Sequence, residues 1–303
     1  MQVVKILRQW QYYGLALVGL ITACSPVPKG LEQQQLFVEQ QLENNPALAK
    51  HQLDLGKLSI YSRSQGTPTL ATVVWVHGTP GSWSDGAYII GSPSLTDDML
   101  VYALDRPGWG LSQAKQQGLD VSDFESQAHF LLPWFKQIKS MNPDKPLVIV
   151  GHSWGASLIP SLVSQSEDID AALLLAGALD PSLAKPRWYN KFAGSVAGAW
   201  VLSQFDIGEL LLDSNKEMYN LAPGLQNSAQ ELAAMGIPTI VIQGLDDGLV
   251  DPLNARYAKQ HLPKSNSRVI ELEQQGHLLQ IESPALIEQC IRALLSQRFQ
   301  DCY

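Results

Sequence analysis

From about residue 53 onward, apolar positions alternate between two rhythms. Short β-branched runs bounded by glycine, proline or aspartate recur at 72–76, 100–104, 147–150, 173–175, 239–242 and 268–272, with a more polar alternating run at 55–62. Runs of this length and composition predict strands. The stretches 122–140, 154–164, 252–260 and 284–299 instead repeat apolar residues three to four positions apart, which predicts helices. Strands alternating with helices imply an α/β fold with a mainly parallel sheet. The alternation stops between 179 and 236, where the spacing stays helical and Trp188, Tyr189, Phe192, Trp200, Phe205 and Tyr219 gather. No internal repeat is visible.

The N-terminus follows another pattern. Lys5 and Arg8 precede a mostly apolar stretch at 12–23 that is short for a bilayer span but suits a secretory signal. It ends in Ile21-Thr22-Ala23-Cys24, which resembles the lipobox of bacterial lipoproteins, where the cysteine is lipidated and becomes the first mature residue. Ser25 stands where lipoproteins retained at the inner membrane often carry aspartate, so the resemblance implies an outer-membrane anchor facing the periplasm. The Gln- and Glu-rich stretch 24–52 reads as a polar tether with room for one short helix.

Composition narrows the partners. A chain of 303 residues that is 45% hydrophobic and 17% charged is globular, and a net charge of −8 without a Lys/Arg cluster argues against nucleic acid. No spacing suggests a metal site, and no cofactor motif is present. With Cys24 lipidated, Cys290 and Cys302 remain as either a disulfide or two free thiols.

The chemistry concentrates at "VIVGHSWGAS", residues 148–157. A Gly-x-Ser-x-Gly run is weak evidence alone, but here it follows a buried-type strand and opens a helix. Gly151 and Gly155 suit a turn too tight for side chains, with the Ser153 hydroxyl exposed above the sheet. With "HGTPGS" at 77–82 and "DRPGWGLS" at 105–112, each directly after a predicted strand, the sequence resembles the α/β-hydrolase family from about residue 53 to 299. That resemblance implies an α/β-hydrolase fold, a mainly parallel sheet flanked by helices, with core segments 53–178 and 237–303 and a helical lid at 179–236. It also implies Ser153 as the nucleophile. Dehalogenases and epoxide hydrolases of this fold carry aspartate at that position.

A serine needs a base within hydrogen-bond reach. Of six histidines, His51 falls in the tether, His129 and His261 on or beside helices, and His152 is turned away from the serine hydroxyl by the backbone. His77 suits bracing its own loop. His277, in "QQGHLLQIESP" after the last strand, matches the family's Gly-His before the final helix. The family orders its triad serine, acid, histidine, which directs attention to "VIQGLDDGLVDP". There Gly244, Asp247 and Val250 fit the family's Gly-x-x-Asp-x-x-Val, with Asp246 and Asp251 as rivals suited to turning or capping the chain.

These assignments imply a serine hydrolase cleaving an ester or related acyl bond through Ser153, Asp247 and His277, with Thr79 and Trp154 N–H groups as the oxyanion hole. The aromatic residues of the lid suit packing of the lid's own core, and an insertion over the carboxyl ends of the strands is also placed to line a pocket, which points to a small, partly apolar substrate. "HGTPG" and Trp154 are also reminiscent of proline iminopeptidases, and perhydrolases share the same triad. A lipid-anchored binding protein that has lost the chemistry is the reading from another class.

Overall fold

The computed structural model describes residues 30–112, 119–205 and 208–303. The signal segment and the lipobox cysteine, Cys24, lie outside them. The apolar runs become eight strands: β1 (Ala49–Asp54), β2 (Ser59–Gly66), β3 (Ala71–Val76), β4 (Met99–Leu104), β5 (Leu147–His152), β6 (Ala171–Leu175), β7 (Thr239–Gly244) and β8 (Ser267–Leu272). They form one sheet in the order β1-β2-β4-β3-β5-β6-β7-β8, parallel from β4 to β8 and antiparallel at the β1–β2 and β2–β4 pairings. Strands β3, β5, β6 and β7 are buried at every position. Burial on both faces is why their sequences run apolar without alternation.

Helices α1 (Leu31–Phe37), α2 (Phe124–Met141), α3 (Trp154–Val163), α4 (Trp188–Ala193), α5 (Val196–Leu202), α6 (Gly208–Ala233), α7 (Leu253–His261) and α8 (Pro284–Ser296) surround the sheet. One core packs Trp75, Val150 and Leu173 against Ile287 and Ile291 of α8; the other packs Val74, Ile149 and Leu174 against α2 and α3. Helix α2 begins where Asp123 accepts a hydrogen bond from the Ser126 N–H at 2.8 Å. Cys290 of α8 is disulfide-bonded to Cys302, their Cα atoms 4.5 Å apart, which decides between the two states the sequence allowed.

Two elements depart from the sequence-based expectation. The tether stretch ends in strand β1, whose Lys50 and Gln52 face solvent, so its polar edge character hid it. His51 accordingly lies on a strand, its Nε2 2.7 Å from Ser64 Oγ. Strand β2 sits four residues later than the run at 55–62, because it buries polar Ser62, Arg63 and Ser64.

The chain runs from β3 outward to β4 and then returns to the other side of β3 as β5. Where a sheet reverses direction in this way, the loops at the carboxyl ends of the two strands diverge and leave a crevice. The 77–82 loop leaves β3 there, and Ser153 follows β5.

Candidate active site

Ser153 occupies φ 55° and ψ −122°, a conformation side chains avoid, between the last residue of β5 and the first of α3. The bend is held from outside: Ser153 N–H donates to the Leu175 carbonyl at 2.8 Å, and its own carbonyl accepts the Ser157 N–H at 3.1 Å. A Cβ on Gly151 would stand 2.7 Å from the Gly155 carbonyl oxygen, and one on Gly155 would meet the carbonyl oxygens of Val76 and His77. Both glycines are therefore required by close backbone approach. Among the described residues Ser153 Oγ has no hydrogen-bond partner, and it is partly exposed.

His277 lies in the loop after β8, with Nδ1 2.8 Å from Asp247 Oδ2. In the neutral ring Nδ1–H donates and Nε2 keeps its lone pair. Asp247 is pinned in turn: Oδ1 accepts the N–H groups of Leu249 (2.8 Å) and Val250 (2.9 Å), and Oδ2 accepts the Gln243 amide at 3.0 Å. Burial works to raise the Asp247 pKa, but the hydrogen bond and charge interaction with His277 and the two backbone donors outweigh it, leaving the carboxyl below its usual value. Asp246 is exposed, and Asp251 accepts the Leu253 N–H at 2.9 Å as a turn residue.

His152 ties the two loops together. Its Nε2–H donates to the His277 carbonyl at 2.8 Å, and the two ring centroids are 4.8 Å apart. Burial, followed by the neighbouring His277, pushes the His152 pKa down to about 3, so it stays neutral as a donor. Its stability contribution has a definite sign. Folding holds His152 neutral while the unfolded ring takes a proton near pH 6.5, so this stability is present above 6.5 and lost as pH falls from there towards 3. Burial pushes Asp105 up to about 6, which acts in the opposite direction over the same range and makes the parent's net slope an unsafe readout. The difference between parent and His152→Gln isolates the ring: stability measured by urea unfolding between pH 6.5 and 4.5 should fall more steeply in the parent, by up to about 1.4 kcal/mol per pH unit. Equal slopes would remove His152 from that role.

The 77–82 loop is braced from beneath. His77 Nδ1–H donates to the Gly78 carbonyl at 2.7 Å, and its Nε2 accepts the Arg106 N–H at 2.9 Å, which fixes the tautomer. The buried Arg106 guanidinium donates to the carbonyls of His77 (2.9 Å) and Gly78 (2.8 Å). Two further N–H groups of Arg106 meet Glu217 of α6 at 2.7 and 3.0 Å. Trp109 Nε1 donates to the same carboxylate at 2.9 Å. Arg106 also stacks 4.3 Å above the Trp154 ring. Thr79 adds a second link to α6, donating through Oγ1 to Ser214 Oγ at 3.2 Å. The N–H groups of Thr79 and Trp154 make no hydrogen bond to other described residues.

The geometry thus joins His277 to Asp247 directly, sets His152 between the Ser153 bend and the His277 loop, and places Thr79 and Trp154 at the ends of β3 and β5. Gln243, Arg106 and Glu217 are site residues that the sequence reading did not single out. A polar amide closing the otherwise apolar run "TIVIQ" is the signal for Gln243. Glu217 carries none, being 111 positions from Arg106. Among the described residues no group of His, Cys, Asp and Glu could hold a metal ion.

Comparison with known proteins agrees with this architecture. Human monoglyceride lipase is 26% identical over 250 residues, covering 74% of this chain and 80% of its own, and the rat enzyme is 24% identical over 212 residues, covering 62% and 69%. Among solved structures, a putative lipase from Acinetobacter baumannii superposes with a TM-score of 0.60 at 20% identity, covering 89% of this chain and 95% of that one. Haloalkane dehalogenase DbeA from Bradyrhizobium elkani gives 0.63 at 17% identity, covering 83% and 98%. A sequence profile of the alpha/beta hydrolase family matches residues 73–289. That span holds the serine bend, the aspartate and histidine loops and the loop after β3, and the chain belongs to the alpha/beta hydrolase family of enzymes.

Proposed function

We propose that the protein is a serine hydrolase of the bacterial cell envelope that cleaves an ester or related acyl bond of a small, partly apolar substrate. The observation that carries this reading is the His277 imidazole: Asp247 holds its Nδ1 side at 2.8 Å, and its carbonyl is tied to the residue preceding Ser153. In the reaction His277 Nε2 takes the Ser153 proton as Oγ bonds to the acyl carbon, and Asp247 stabilises the imidazolium. The tetrahedral oxyanion is met by the Thr79 and Trp154 N–H groups, each worth about 3 kcal/mol in comparable sites. The proton passes to the leaving alkoxide, and water, deprotonated by His277, releases the acid from Ser153.

Ester cleavage is favoured over aminopeptide cleavage by the commitment of Glu217. The deeply buried carboxylate of the 179–236 lid is already paired with Arg106 and Trp109, leaving it no free charge for a substrate amine. The matched monoglyceride lipases support an acyl glycerol or similar ester. Lipidation at Cys24 would hold the enzyme at the outer membrane facing the periplasm, and the Cys290–Cys302 disulfide suits such an oxidising compartment.

A fluorophosphonate probe tests the reading. The parent should be labelled on Ser153, and Ser153→Ala should lose the label. An unlabelled but folded parent would make the protein a binding module on this fold. Among substrates, kcat/KM should rise with acyl length across chromogenic esters and stay low for aminoacyl amides; activity confined to short, charged esters would overturn the apolar-substrate assignment.

A further inference from the structure

Helices α4 and α5 are built inside out. Asn190 is the buried residue of α4, its side-chain Nδ2 donating to Asn215 Oδ1 at 3.0 Å while its Oδ1 accepts the Arg187 N–H at 2.9 Å. On the solvent side stand Trp188, 78% exposed, and Phe192 one turn later. In α5 the buried residue is Gly198, whereas Val196 and Trp200 are 91% and 66% exposed, and Phe205 follows in the same condition. Aqueous solvent drives apolar side chains inward, so two successive helices with amide and glycine inside and aromatics outside are matched to an apolar medium.

Charge and covalent reach identify that medium. Between Asp180 and Asp206 the chain has Lys185, Arg187 and Lys191 and no acidic residue, a local reversal in a protein of net charge −8. Aromatic residues flanked by basic ones are the composition of a surface that lies on anionic lipid headgroups. The N-terminal end of the described chain lies at the carboxyl end of the sheet, on the α8 side. A Cβ on Gly30 would meet Ile281 Cγ2, and Ile281 follows His277 by four residues at the carboxyl end of the sheet, the edge from which the α4–α5 segment also departs after β6. Five residues separate Cys24 from Gly30, and the six Cα–Cα steps between them span at most roughly 20 Å.

We infer that the face formed by Trp188, Phe192, Val196 and Trp200 docks on an anionic phospholipid bilayer and turns the Ser153 end of the sheet towards the lipid. The aromatic face and its basic flank carry this inference; only the tether's reach rests on the anchored reading given under Proposed function. Arg187 makes the orientation bear on the site, because its guanidinium donates to the carbonyls of Gly248 (2.9 Å) and Leu249 (2.8 Å), next to Asp247. Docking therefore engages the segment connected to the acid loop.

The test uses the full chain carrying Trp10→Phe, mixed with vesicles of phosphatidylcholine containing brominated phosphatidylglycerol, and reads quenching of tryptophan fluorescence. Docking predicts quenching that falls by roughly threefold or more in Trp188→Phe/Trp200→Phe. It also predicts that Lys185→Glu/Lys191→Glu weakens the apparent affinity for these vesicles by roughly tenfold or more. Trp188, Trp200, Lys185 and Lys191 are all exposed, and circular dichroism verifies the fold. Equal quenching in parent and double variant, or no quenching, overturns the proposal. A concentration-dependent dimer abolished by the same tryptophan substitutions overturns it too and assigns the face to a second copy. Fluorophosphonate labelling without vesicles, and the mass of the Cys24 peptide, report the hydrolase and anchor readings separately.

Discussion

Asp247→Asn is expected to lower kcat by about 10⁴ with KM little changed. The substituted amide can still accept the N–H groups of Leu249 and Val250 through its oxygen, so the loop keeps its shape. Its NH2 group then faces His277 Nδ1, where the carboxylate accepted the Nδ1–H hydrogen bond. Two donors cannot share that hydrogen bond, so the imidazole is driven to carry its proton on Nε2, the nitrogen that must be free to deprotonate Ser153. The buried carboxylate that balances the imidazolium in the proposed mechanism is lost as well. Steady-state kinetics with one chromogenic ester and the rate of fluorophosphonate labelling should fall together, because both depend on attack by Ser153. Asp246→Asn is the matched control: its side chain is exposed and its backbone N–H donates to the Gln275 carbonyl at 2.9 Å, so the rate should hold within about threefold. A large loss at Asp246 with little at Asp247 would transfer the acid role.

What could be read in the sequence was whatever local backbone chemistry dictates. The Gly151 and Gly155 positions are forced by carbonyls closer than a side chain tolerates, so the serine bend announces itself within five residues. The central strands declare themselves because both faces are buried, leaving no polar position to confuse the period. Strand β2 lies four residues beyond the alternating run at 55–62 for the opposite reason: Arg63 is buried there because its guanidinium lies 4.7 Å over the Trp83 ring, and no local pattern predicts that partner. The aromatics at 188–205 signalled an apolar role but not its direction, since helical spacing is identical for a face turned inward and one turned outward. Trp188 and Trp200 turn outward. The core alone therefore does not account for them.

The most consequential contact that no local pattern displays is the Arg106–Glu217 pair, and Glu217→Ala is expected to destabilise the protein by about 3–5 kcal/mol. Both side chains are removed from solvent, at 0% and 2% exposure. Deleting the carboxylate leaves a permanently charged guanidinium buried opposite a small void and deprives the Trp109 indole N–H of its acceptor. Glu217→Gln keeps the volume but not the charge and should fall between parent and alanine variant. Urea unfolding measures the loss directly. Activity should fall too, by a route that stability alone does not reproduce. Arg106 donates to the carbonyls of His77 and Gly78, and the next residue is Thr79, so a guanidinium no longer drawn towards α6 loosens the loop that presents the proposed oxyanion donor. At a temperature where the variant is fully folded, kcat should drop by no more than about 10³, the ceiling set by losing one such donor, while KM changes little. In Arg106→Met/Glu217→Leu the uncompensated charge is gone, so part of the stability should return, less the cost of the His77 carbonyl and the Trp109 indole N–H left without their partners. The rate should not return, because a methionine offers the His77 and Gly78 carbonyls nothing to accept. Recovery of both together would reduce the pair to packing; recovery of stability alone assigns Glu217 to positioning the loop through Arg106.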